Sequence, residues 1–155
     1  TPTVPTMSDA TPTPQEILAA IPPAPLDHRM VIEYVEATVE RVVARMPGEG
    51  NTQPFGLLHG GATCVLAESV GSVAANIHGA PTHYAVGIEI SCSHHSGARG
   101  GHVTATATPL KAGRQLATYN IEITDDAGSP VATARLSCLL RPRPSGPPSD
   151  RAEPR

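Results

Sequence analysis

Two periodicities of hydrophobic and polar positions divide the chain. From Gly60 to Ile77, Val65, Leu66, Val70, Val73 and Ile77 recur at helical spacing and form a broad apolar stripe. Gly61, Cys64, Ala67, Gly71 and Ala75 keep the opposite face small, and Glu68 is the single charged residue of the run. A helix that is polar on neither face is expected to be covered on both. A lone carboxylate among close-packed small residues is costly to keep ionised, so Glu68 is expected to be paired or functional.

Beyond Pro81 the period changes to two. Tyr84, Val86, Ile88, Ile90 and Cys92 alternate with His83, Ala85, Gly87, Glu89 and Ser91. Val103 to Leu110 alternates weakly, and Ala117, Tyr119, Ile121 and Ile123 alternate with Thr118, Asn120, Glu122 and Thr124. Asp125-Asp126-Ala127-Gly128 predicts a hairpin turn, and Val131 to Leu140 closes the set with Leu136, Cys138 and Leu140 on one face.

Upstream, Thr13-Pro14-Gln15-Glu16 predicts a helix start: a cap residue, proline in the first turn, then an acid. That helix stops before Pro22-Pro23. Met30 to Met46 reads as two strands with a turn near Ala37-Thr38, and an irregular loop runs from Pro47-Gly48-Glu49-Gly50 to His59. His78-Gly79-Ala80-Pro81 ends the long helix, with glycine at a C′-like position. The order is helix, two strands, long helix, four strands. An α+β architecture satisfies it, with an antiparallel sheet wrapped around one long central helix. The ordered domain is expected over residues 14–141. Residues 1–13 and 142–155 are rich in Pro, Thr, Ser and Arg with few large apolar groups, and are expected to be disordered tails.

Composition narrows the function classes. A chain of 155 residues suits one domain with a sizeable core. A formal net charge of −3 gives no general attraction to nucleic acid or anionic membrane. One Phe, three Tyr and no Trp disfavour base-stacking surfaces, so no nucleic-acid partner is expected. No apolar run approaches the roughly 18 residues of a membrane span, and no signal peptide is evident. The odd number of cysteines, Cys64, Cys92 and Cys138, reads as reduced core residues of a cytoplasmic protein, since a zinc site would need closer spacing. His94 and His95 are adjacent on a strand and point to opposite faces, which argues against a metal pair. No metal and no cofactor is expected.

The run Gln53-Pro54-Phe55-Gly56-Leu57-Leu58-His59-Gly60-Gly61-Ala62 leads into Val65-Leu66-Ala67-Glu68-Ser69 and Gly71-Ser72-Val73-Ala74, and Gly87-Ile88-Glu89-Ile90 with His94 follows. These residues, with the order of elements, resemble the hotdog-fold acyl-CoA thioesterases across residues 26–141. The resemblance is closest to the branch acting on aromatic acyl thioesters, and nearest to its 1,4-dihydroxy-2-naphthoyl-CoA and enterobactin-proofreading members. It implies hydrolysis of an aromatic, hydroxylated acyl-CoA to free acid and coenzyme A. Glu68 matches the family's catalytic carboxylate, attacking the thioester carbon or activating water. Gly61 matches the backbone N–H that polarises the thioester carbonyl at the positive end of the helix. Gln53 and His59 match polar residues contacting the thioester. Ser72, one turn past Glu68, is placed to hold the carboxylate or the attacking water. His94 matches a polar residue near the acyl group, and Arg114 lies where the family often places nucleotide-binding residues. The resemblance also implies a homo-oligomer, dimer or tetramer, with the site between two subunits, and it attributes the small-residue helix face to that interface.

Two other readings compete. A hotdog hydratase or dehydratase acts on enoyl or hydroxyacyl thioesters, but needs a different His and acidic constellation. A non-catalytic acyl-CoA-binding regulator would make Glu68 dispensable and usually brings a DNA-binding domain, for which this chain has no room.

Overall fold

The computed structural model describes residues 13–21 and 24–144. The expected tails lie outside the described residues, apart from Thr13 and residues 142–144. Nine elements follow in order: α1 (Pro14–Ala20), α2 (Pro25–Arg29), β1 (Glu33–Ala37), β2 (Val42–Pro47), α3 (Gly60–Gly79), β3 (His83–His94), β4 (His102–Ala112), β5 (Leu116–Asp125) and β6 (Pro130–Pro142). The strands form one antiparallel sheet in the order β1-β2-β4-β5-β6-β3, and α3 packs on it. This is the antiparallel sheet on one long helix expected from the two periodicities, and it agrees with the hotdog fold that the resemblance implies.

Local chemistry explains the ends of these elements. Thr13 caps α1 in a capping box: the Glu16 amide donates to Thr13 Oγ1 and the Thr13 amide donates to Glu16 Oε2. Asp125 Oδ1 accepts the amides of Ala127 and Ser129, both at 2.9 Å, and Gly128 supplies the positive φ that closes the β5–β6 hairpin. The short helix α2 has no counterpart in the sequence reading. Five residues carry no periodicity, and proline at its first position is its one signal.

The core forms where the apolar stripe of α3 meets the inner face of the sheet. Leu66 and Val70 are completely buried, as are Met46, Val103, Ile121 and Leu136 opposite them. Burying each such side chain contributes about 1.5–3 kcal/mol relative to exposure. The small-residue face has a cause inside the chain. Ala67, Gly71 and Ala75 are buried without any second subunit, and a Cβ on Gly71 would stand 2.6 Å from Leu136 Cδ2. Smallness at these three positions lets the sheet approach the helix, which corrects the attribution of that part of the face to a subunit interface.

Gly79 also departs from expectation. It is the last helical residue, and Ala80 is the cap in extended conformation. Packing favours glycine there, since a Cβ would lie 3.2 Å from both His83 Cβ and Leu140 Cδ2, closer than an ordinary contact.

Strand β3 departs from simple alternation. A bulge between Gly87 and Glu89 shifts its register against β6. Upstream of it Gly87 faces α3, whereas downstream Cys92 and His94 face α3. An extra residue reverses the parity of a strand. Odd and even positions of β3 therefore both reach the helix.

Candidate active site

Helix α3 begins at His59, whose extended backbone makes it the N-cap. Its Nδ1 accepts the Gly61 amide at 2.8 Å, and its carbonyl accepts the amides of Ala62 and Thr63. The donor expected to meet a substrate carbonyl at Gly61 is thus held by the imidazole. The Gly60 amide has no acceptor among the described residues and points out of the helix end. His59 itself is exposed.

A pocket of about 410 Å³ opens at this helix end. Gln53, Leu57, Gly60, Thr63 and His94 are among the residues that line it. Gln53 is held by its loop: its amide donates to Leu57 O, its carbonyl accepts the Gly56 amide, and its side-chain oxygen accepts the Phe55 amide. The His94 ring sits over Gly60, where a Cβ would fall 3.0 Å from Nε2. His95, just past the end of β3, turns the other way and bonds Thr133 Oγ1 at 2.9 Å.

Glu68 lies two turns along α3 on its half-buried stripe, with Cys64 before it and Ser72 and Asn76 after it. Burial raises its carboxyl above the ordinary value of 4.5, and the Ser72 hydroxyl, donating at 3.5 Å, opposes that in part. No cation pairs with it among the described residues. Its Oε1 is seated against β3 at Gly87, where any Cβ would collide with it.

Two further anchors fix this stretch. Asn76 Nδ2 donates to Ser72 O at 2.8 Å, and Asn76 Oδ1 accepts the Ala85 amide at 3.1 Å, tying β3 to the helix just before the bulge. On the neighbouring face Ser69 donates to Asp27 Oδ1 at 2.7 Å, and Tyr34 donates to Asp27 Oδ2 at 3.3 Å. Burial, then the Asp27 charge, holds the Tyr34 phenol well above its usual range, so it remains a donor. Asn76 and Asp27 were not among the residues singled out from the sequence, and Gly87 was named there only within the Gly87-Ile88-Glu89-Ile90 match and the alternation of its strand, with no role of its own.

Gln53, His59, Gly60, Gly61 and His94 thus gather at the start of α3, with Glu68 and Ser72 further along the same helix. Arg114 stands apart. It lines a separate cleft of about 940 Å³ with Lys111, His78 and His83 at the far end of α3, where the His78 ring bonds Gly113 O at 2.8 Å. His78 is about 15 Å from Glu68 along the helix axis, at 1.5 Å per residue.

The cysteines also differ from expectation. Cys138 is buried in the core, but Cys64 and Cys92, 28 positions apart in sequence, meet beside His94. Spacing along the chain could not reveal this, because the sheet brings the two together.

Residues 55–132 match the family model described as the thioesterase superfamily. The chain is 41% identical over 126 residues to the proofreading thioesterase EntH of Cronobacter turicensis, covering 81% of this chain and 92% of that protein. It is 44% identical over 98 residues to the 1,4-dihydroxy-2-naphthoyl-CoA hydrolase of Escherichia coli, covering 63% of this chain and 72% of that one. Its structure is similar to a Haemophilus influenzae thioesterase, with a TM-score of 0.78 and 29% identity over 86% of this chain and 93% of the other.

Proposed function

The chain belongs to the thioesterase superfamily and is a thioester hydrolase; from that premise we propose that it cleaves hydroxylated aromatic acyl-CoA thioesters, with Glu68 as nucleophile or general base. The observation that carries the reading is the seat of Glu68. It is a half-buried carboxylate with raised proton affinity and no cationic partner among the described residues, on the helix whose N-terminus opens into a pocket. A carboxylate of raised proton affinity is a better base than one in water.

In the chemistry that follows, the thioester carbonyl oxygen lies at the start of α3, against the Gly60 amide and, once His59 turns aside, that of Gly61. Eight residues separate Gly60 from Glu68, about 12 Å along one helix, so in this reading the amides of one subunit act with Glu68 of the other. Water adds to the carbonyl carbon as that Glu68 takes its proton, and the two amides stabilise the oxyanion. Collapse breaks the carbon–sulfur bond. The coenzyme A thiolate leaves with the proton held by Glu68, and the acid is released. If Glu68 attacks directly, its carboxylate adds to the carbonyl carbon, the carbon–sulfur bond breaks and the coenzyme A thiolate leaves as a mixed anhydride forms; water then cleaves the anhydride, regenerating Glu68 and supplying the proton that the thiolate takes up. Ser72 holds Glu68 in either case. Gln53 and His94 face the acyl group, and Arg114 with Lys111 receives the nucleotide phosphates at the other end of the helix.

The working unit in this reading is at least a homodimer. Strand β3 is an edge of the sheet, twelve residues long, and it exposes Tyr84, Val86, Ile88 and Ile90. A long apolar edge invites pairing with another strand. Such pairing covers the half-open stripe that carries Glu68.

The deciding experiment is a panel of aryl and aliphatic acyl-CoAs with the purified protein, following thiol release. Aromatic hydroxylated substrates are expected to give the highest kcat/KM. No hydrolysis of any thioester in the panel would reject the substrate assignment.

A further inference from the structure

The Sγ atoms of Cys64 and Cys92 and a ring nitrogen of His94 all lie within 4.8 Å of one another. Both cysteines are free thiols, half-buried, and His94 is exposed at the pocket. Zinc bonds of about 2.3 Å to sulfur and 2.0–2.1 Å to nitrogen set tetrahedral ligand atoms roughly 3.5–3.8 Å apart. The cluster reaches that spacing by closing about an ångström, within what side-chain torsions supply. We propose that Cys64, Cys92 and His94 form a binding site for Zn²⁺, and that filling it shuts the hydrolytic site.

The donor set selects the ion. Two thiolates and an imidazole suit a soft or borderline cation, and not Mg²⁺ or Ca²⁺, which need oxygen ligands. Binding forms two Zn–S bonds and one Zn–N bond and releases the two thiol protons to solvent. The filled site is formally neutral, since two thiolates balance the cation, so it needs no further counter-charge at the head of α3. Three protein ligands leave the fourth position to water on the pocket side.

The placement gives the site its effect. Cys64 follows Gly60 by one helical turn and precedes Glu68 by one turn, so a metal on Cys64 lies between the helix N-terminus and the carboxylate. It therefore stands about one turn, roughly 6 Å, from the Gly60 amide that the thioester carbonyl must approach. The same ion takes the His94 ring out of the acyl pocket. The bulge at Gly87 is what makes the site possible, because it turns Cys92 and His94 toward the helix. The inhibitory effect rests on the thioesterase reading, whereas metal uptake stands without it.

The test uses the whole, fully reduced, metal-free chain. Zn²⁺ is titrated against a chromophoric chelator, and Co²⁺ is added in parallel as a spectroscopic probe. One equivalent per chain is expected, with about two protons released. The Co²⁺ protein should display a thiolate charge-transfer band and tetrahedral d–d bands. Cys92→Ser and, separately, Cys64→Ser should each weaken Zn²⁺ binding at least about tenfold. Zn²⁺ should inhibit thioester hydrolysis by the native chain reversibly, with chelation restoring it. Cys92→Ser should keep basal turnover and lose the inhibition. Absence of the charge-transfer band, or unchanged Zn²⁺ affinity in both variants, would overturn the site. So would a Cys64–Cys92 disulfide whose reduction yields no metal uptake. Uptake that leaves hydrolysis untouched would overturn the inhibitory role. Uptake by a chain that hydrolyses no thioester would retain the metal site and reject the function.

Discussion

The Glu68 carboxylate occupies the space beside β3 that any side chain at position 87 would need. The missing side chain at Gly87 thus leaves the carboxylate its seat against β3. Gly87→Ala should push Glu68 off β3 and misplace it by about an ångström, a displacement that typically costs on the order of a hundredfold in rate. The expected result is a lower kcat with KM little changed and the far-UV circular dichroism spectrum of the native chain. A variant with native kcat would reject this positioning role.

Glu68 itself should be tested by Glu68→Gln, which keeps shape and removes the base. Turnover should fall at least about a hundredfold, the lower scale for losing acid–base or covalent participation. The native enzyme should lose kcat/KM on acidification through an apparent pKa above 4.5, because burial raises the carboxyl. The stability sign follows from the same shift. A carboxyl raised in the folded state carries no penalty below its unfolded pKa and its full penalty above its folded pKa. Glu68→Gln lacks that penalty, so its Tm should match the native chain at pH 3 and equal or exceed it at pH 8. A Tm advantage confined to low pH would contradict the assigned shift.

His59 is an unusual cap, since its ring nitrogen does what Ser, Asp or Asn oxygens commonly do. His59→Asn should retain the acceptor and hold Tm near the native value. His59→Ala should lose about 1 kcal/mol, the typical cost of a lost N-cap. Denaturant unfolding of the two variants separates this capping role from any contact with the thioester. Equal losses in both would remove the capping argument.

The fold was legible because burial has a period. The apolar stripe of α3 and the alternation of β4, β5 and β6 specify a helix on an antiparallel sheet. The half-buried setting of Glu68, unpaired among the described residues, was legible for a related reason, as one charge in a run that solvates it poorly. What stayed hidden depends on contacts across the sheet. The bulge at Gly87 changes which side chains of β3 face the helix, so Cys92 was read with Tyr84 and Val86 although it faces the other way. Asp27 sits in a five-residue helix too short to carry a pattern, yet it clamps Ser69 and Tyr34. The Gly61 amide was read as open, and the ring two residues before it closes it. Gly71 was placed at an interface between subunits, where only the position of Leu136 reveals a contact within the chain.

Assembly offers a test at the free edge of the sheet. Ile88 is the extra residue of the bulge region, 57% exposed on the outermost strand. Light scattering of the native chain should give an even multiple of 16.0 kDa. Ile88→Lys places a charge on the edge and should shift the distribution toward monomer, with activity falling in step. A fully active monomer at micromolar concentration would reject the dimeric site.

The acyl pocket supplies the last prediction. His94 stands over Gly60 and Gln53 lines the same pocket, so a ring hydroxyl or carbonyl entering there meets polar partners. A site built to pair with such groups rejects analogues lacking them, because its own polar atoms are then left unsatisfied. The scarcity of aromatic side chains does not oppose this. Leu57, Ala98 and Val131 line the pocket and also bury a ring, at roughly 25 cal/mol per Å² removed from water. Hydroxybenzoyl-CoA or dihydroxynaphthoyl-CoA should therefore exceed hexanoyl-CoA in kcat/KM. His94→Ala should narrow the gap between hydroxylated and unsubstituted aryl substrates while leaving hexanoyl-CoA turnover nearly unchanged. If hexanoyl-CoA or acetyl-CoA is the better substrate by a clear margin, the aryl assignment is wrong, and the Glu68→Gln result then stands or falls independently of it.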